Sequence, residues 1–110
     1  MTQEEMNELV ERGVRESVEN VGGTMLGCEV VVGPKRMIDH PLQESDGVVA
    51  LIGMAGPWIG TGALTCKPDV ACKLAGAFLM TEYEAVNDEV LDAVAELANM
   101  VIGGLKTTLE

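Results

Sequence analysis

The chain has 110 residues, 47% of them hydrophobic, with one Trp, one Tyr and one Phe. Folded as a single domain over residues 1–110, a chain of this length removes roughly two-thirds of its unfolded surface from water, around a core that here must be aliphatic and rich in Met. Its 18 acidic and 7 basic residues give a net charge of -11, which opposes phosphate backbones and anionic headgroups and so excludes nucleic acid and membrane surfaces as partners.

From the N-terminus, Thr2 and Glu5 have the spacing of a helix-capping box. Met6, Leu9, Val10, Val14, Ser17, Val18 and Val21 then recur at helical intervals, which predicts a helix from Thr2 to Val21 ended by Gly22-Gly23. Met25 to Val32 is rich in β-formers, with Glu29–Val32 predicted as a strand closed by Gly33-Pro34. Lys35 to Asp46 reads as a loop with a short strand at Met37-Ile38.

Gly47 to Met54 and Trp58 to Thr65 are expected to form an antiparallel hairpin about the turn Ala55-Gly56-Pro57. Gly60 and Gly62 in its second arm point to a bulge or to close packing of the backbone. Pro68 opens a second helix ending near Met80, and an acidic connection from Thr81 to Asn87 leads into the longest periodic segment, Asp88 to Leu109. As a helix that segment would be roughly 33 Å long. The expected fold class is α/β (α+β), an antiparallel sheet covered by long amphipathic helices.

Cys28, Cys66 and Cys72 are odd in number and lack a C-x-x-C spacing, which indicates reduced core residues rather than a disulfide framework or a zinc site. His40 is the only histidine, beside Asp39 in a polar stretch ending at Pro41, and reads as a loop residue. Apolar runs fall short of the about 18 residues of a membrane span, and Met1–Glu5 is acidic where a signal peptide would be basic, so a cytoplasmic location is expected.

In the last segment Val90, Leu91, Val94, Leu97, Ala98, Val101, Ile102 and Leu105 share one apolar face. The opposite stripe is Asp92, Glu96, Asn99, Gly103 and Lys106, with the Cβ atoms of Glu96 and Asn99 expected roughly 5–6 Å apart. Glycine at 103, one turn beyond Asn99, removes the side chain most able to block approach to the Asn99 amide. From spacing alone the stripe reads first as the ordinary solvated face of an amphipathic helix.

The string Asp92-x-x-x-Glu96-x-x-Asn99, following the hairpin and the Pro68 helix, resembles the CheC/CheX/FliY phosphatases, and the single copy of the string resembles CheX particularly. The resemblance implies a phosphatase that hydrolyses the aspartyl phosphate of a CheY-like response-regulator receiver domain in chemotaxis or a related two-component pathway. It assigns to Asn99 the orientation of the attacking water and to Glu96 a pairing with the receiver lysine, supported by Asp92 and Gly103. A neutral amide suits this role because it places water without adding negative charge beside a phosphate.

The resemblance further implies no cofactor held by this chain, the Mg2+ being carried by the partner receiver, and a homodimer. The family's domain continues into further strands beyond this helix, so strands missing after Glu110 and an exposed sheet edge are expected. The alternative function is a non-catalytic module that docks on a receiver or motor-switch protein, or that only dimerises.

Overall fold

Thr2 caps the first helix as its spacing predicts: its hydroxyl accepts from the Glu5 N–H at 3.1 Å and donates to the Glu5 carboxylate at 3.1 Å. The computed structural model describes residues 2–34, 47–55 and 59–109. Within them the order is α1 (Gln3–Val21), β1 (Val48–Met54), β2 (Gly60–Cys66), α2 (Pro68–Leu79) and α3 (Asp88–Leu109). This is an α+β arrangement in which α3 packs against both strands, α2 and α1.

The two glycines do not end α1. Gly22 stays in the right-handed helical region and a π-helical turn carries the chain over Gly22–Leu26. The stop comes at Gly27, whose φ of 62° is left-handed and whose N–H donates to the Gly22 carbonyl. Glycine permits a helix reversal without compelling one. At Gly22 the missing side chain instead admits the Val30 Cγ2 methyl.

Glu29–Val32 is not a strand either. Residues 27–34 carry no regular structure, and Val31 and Val32 are 85% and 53% exposed. β-propensity describes side chains that fit a pleated surface, but a strand needs a partner for its backbone groups. Among the described residues the sheet contains β1 and β2 only. The segment runs instead along the Met6, Val10, Val14 and Val18 row of α1, leaving a hollow of about 590 Å³ between them. The Met37-Ile38 strand, His40 and the turn at Gly56-Pro57 lie outside the described residues.

The hairpin forms in continuous antiparallel register from Val48 opposite Cys66 to Met54 opposite Gly60. Its entry depends on Gly47, where φ is 111° and a Cβ would overlap the Cys66 carbonyl oxygen. Gly62 fulfils the close-packing expectation: a Cβ there would collide with the Ile102 side chain of α3. No bulge interrupts the paired residues.

Pro68 begins α2, and Met80 ends it in a left-handed conformation (φ 56°) with its N–H on the Gly76 carbonyl. The core that results joins Ala71, Cys72 and Ala75 of α2 to Val90, Ala93 and Val94 of α3, with Val48, Ala50 and Leu64 of the hairpin against them. Val90 and Val94 are wholly buried, each contributing about 1.5–3 kcal/mol by removal from water.

α1 joins this core through small residues. Its apolar row stays partly open, and contact with α3 is made at Gly13, where a Cβ would lie 2.8 Å from Leu105 Cδ1, and at Ser17. Ser17 is buried, donates to the Val101 carbonyl at 2.7 Å, and occupies the space a side chain at Gly104 would need. That close approach fixes which face of α3 is left to solvent.

Candidate functional site

α3 starts where its cap sets it. The Asn87 side-chain oxygen accepts from the Val90 N–H at 2.9 Å, and Asp88 and Glu89 stand in the first turn, where negative charge favours the helix dipole. Asn87 was not singled out by the sequence reading, although an Asn ahead of Asp-Glu and an apolar-periodic run is a start signal. From that start, Val90, Ala93, Val94, Leu97, Ala98, Ile102, Leu105 and Leu109 turn inward.

The outward stripe carries the candidate residues. Asp92, Glu96, Asn99 and Gly103 are all exposed, and Lys106 is half-buried at the far end. Glu96 and Asn99 are one helical turn apart, and among the described residues neither side chain makes a hydrogen bond or ion pair. Their amide and carboxylate groups therefore remain available to an incoming molecule. A Cβ at Gly103 would have nothing within 4 Å, so the surface just beyond Asn99 is open.

This openness separates Gly103 from its neighbour Gly104. Because position 103 meets no obstacle and glycine in a helix interior is about 1 kcal/mol worse than alanine, Gly103→Ala is expected to raise the melting temperature by about 4–8 °C. A thermal melt followed by circular dichroism checks it. Unchanged or lowered stability would mean that position 103 is packed rather than open.

Two positions depart from the sequence reading. Leu91, grouped there with the core face, is 45% exposed, and Val101 is only half-buried. At about 100° per residue Leu91 has the same azimuth as the buried Leu109, so its exposure follows from its place near the start of α3 and not from its side of the helix. The Val101 carbonyl accepts the hydrogen bond from Ser17.

Burial, and secondarily the Asp69 carboxylate, push the Cys66 thiol up, while the phenol of Tyr83 is held above its usual range by donating to Glu89 Oε2 at 2.7 Å. Cys72 is buried, as a reduced core thiol would be, but Cys28 is exposed, which the sequence reading did not expect. Among the described residues no group of three or more His, Cys, Asp or Glu is placed to hold a metal ion. No helix among them is long and apolar enough to cross a membrane.

The arrangement is a convex, exposed helix face presenting an amide, a carboxylate and open space beside them. Small-molecule sites are usually concave; a face of this shape suits a macromolecule that brings its own cavity.

Comparison with known proteins bears on that face. The family model described as chemotaxis phosphatase CheX matches residues 48–110, which include both strands, α2 and all of α3. The crystal structure of a CheC-like superfamily protein from Shewanella sp. PV-4 is 32% identical and superposes with a TM-score of 0.77 over 92% of this chain. The chain spans 66% of the length of that protein. No curated protein matches it.

Proposed function

Since the chain belongs to the CheX family of chemotaxis phosphatases, we propose that it hydrolyses the aspartyl phosphate of a CheY-like receiver domain through the exposed face of α3. Asn99 holds a water in line with the bond between phosphorus and the aspartate oxygen. The water oxygen bonds to phosphorus, the aspartate carboxylate leaves, and inorganic phosphate is released. Glu96 pairs with the receiver lysine and so fixes the distance between the two proteins. Asp92 steadies the start of the stripe, and Gly103 leaves room for the receiver surface.

The observation that carries this reading is the pairing of Glu96 and Asn99 on one exposed turn of α3, within the matched region, with no side-chain partner among the described residues. Phosphoryl transfer asks the protein for positioning and charge stabilisation more than for covalent chemistry, and an amide beside a carboxylate can supply the first while the receiver's own Mg2+ supplies much of the second. The binding-module alternative draws its support from a buried Glu96 or an occluded Asn99, and both are exposed.

The test is phosphate release from a panel of receiver domains loaded with acetyl phosphate and Mg2+, with and without this protein. Faster release from at least one receiver is expected. Binding with no acceleration on any receiver would transfer the assignment to the docking module.

A homodimer belongs to the same reading. Leu51 and Ile59, at 64% and 88% exposure, leave apolar surface on and beside the hairpin, and the sheet of the described residues has two strands, a small sheet that a second copy can extend. Light scattering at micromolar concentration should give about twice the chain mass of 11.6 kDa. A mass near that of one chain would remove the dimer.

A further inference from the structure

We propose that Leu91, with Ala95, is the apolar anchor by which this chain selects its receiver, an inference that rests on the phosphatase reading above. Leu91, Ala95 and Asn99 succeed one another at four-residue steps, forming a single ridge across the exposed face of α3. Eight residues of helix span about 12 Å. A specific interface covers about 800 Å² on each partner, a patch more than twice that wide. A folded domain that brings its phosphoaspartate to the Asn99 amide must therefore also lie against Leu91 or close beside it.

The chemistry along the ridge is that of an interface centre. Leu91 is 45% exposed although the other leucines of the helix and its isoleucine, Leu97, Ile102, Leu105 and Leu109, are at most 8% exposed. Ala95 beside it is exposed and too small to obstruct. On the other flank Asp88, Asp92 and Glu96 form a parallel row of exposed carboxylates. Asp88 favours the helix dipole from the first turn, but like charges four residues apart weaken a helix slightly, so the continuation of the row through Asp92 to Glu96 has no evident stabilising role within the fold. An apolar spot flanked by charge is the pattern of a docking surface, in which a few desolvated side chains carry affinity and the charged rim steers the encounter.

The occupant is the receiver and not a second copy of this chain, because the ridge ends on the residue assigned to the reaction. A second copy seated on Leu91 would cover Asn99. The anchor should set how tightly a receiver is held while leaving the hydrolytic step to Asn99 and Glu96. It thus makes Leu91 a specificity-determining residue without a part in the chemistry.

The experiment titrates the receiver that wild type dephosphorylates fastest, with Leu91→Gln and Leu91→Met beside wild type and Asn99→Ala. Gln and Met are both good helix formers, so α3 is preserved in either variant. Leu91→Gln is expected to raise the receiver concentration for half-maximal acceleration about five- to tenfold, the loss of roughly half a leucine's burial. Its rate at saturating receiver and its melting temperature should stay those of wild type. Leu91→Met should restore the affinity, whereas Asn99→Ala should lose the saturated rate instead.

Wild-type behaviour of Leu91→Gln at every receiver concentration would overturn the anchor while leaving the phosphatase reading intact. A fall in melting temperature together with the saturated rate would overturn it too, by making Leu91 a structural residue. Absence of acceleration by wild type itself is a different result: it would remove the phosphatase reading and the anchor with it.

Discussion

Replacing Asn99 with alanine is expected to reduce the accelerated dephosphorylation of the receiver on the order of 100-fold, the scale of loss when a reacting group is misplaced by about an ångström. The protein should remain folded, since Asn99 is exposed on α3 and alanine is the best helix former. The amide offers both a donor and an acceptor, and the in-line water needs both to be held in position. Glu96→Ala should behave differently, raising the receiver concentration needed as well as lowering the rate. A charge pair desolvated on docking is worth more than a pair on an open surface. Single-turnover phosphate release over a range of receiver concentrations separates the two effects. Wild-type kinetics in the doubly substituted protein would show that the chemistry does not reside on α3.

Gly104→Val is expected to destabilise the fold by forcing α1 and α3 apart. A side chain at position 104 would occupy the place of the Ser17 hydroxyl and lie 3.0 Å from the Ser17 Cβ. Either α1 moves away from α3 or Ser17 gives up its 2.7 Å bond to the Val101 carbonyl. Overpacking of this kind costs about 1–3 kcal/mol, and the lost hydrogen bond about 1 kcal/mol more. Valine recovers only a few tenths of a kcal/mol of helix propensity over glycine. The melting temperature should therefore fall on the order of 10 °C, in the opposite direction to Gly103→Ala. Equal stability of the two variants would contradict the close approach of α1 and α3.

Residues 103 and 104 illustrate how much of this molecule could be read in advance. Both are glycines in the same helical run, and the stripe from Asp92 to Lys106 assigned Gly103 to the outer face, where it lies. Nothing in the spacing distinguished Gly104 as a contact, because its role depends on Ser17, 87 positions earlier in the chain. Gly13 and Ser17 at i, i+4 on one helix, facing Gly104 and Thr108 at i, i+4 on another, were a signal that could have been seen. It acquires meaning only once the two helices are known to be neighbours.

The sequence by itself determined the elements whose stability is local or periodic. The cap at Thr2, Pro68 at the head of α2, the hairpin from Val48 to Cys66 and the full extent of α3 follow from hydrogen-bonding side chains, fixed backbone angles and hydrophobic periods that act within a few residues. It also determined that Asp92, Glu96, Asn99 and Gly103 share one face, since helical geometry alone aligns them.

Only the tertiary structure decided what depends on a partner distant in the chain. Glu29–Val32 has the composition of a strand and no described strand beside it, Gly22-Gly23 could stop a helix and does not, and Leu91 belongs to an apolar arc that the hairpin and α2 do not fully cover. Backbone pairing, helix termination and burial at the rim of a core are each settled by what packs alongside. A residue's own propensity is worth only tenths of a kcal/mol to about 1 kcal/mol against that.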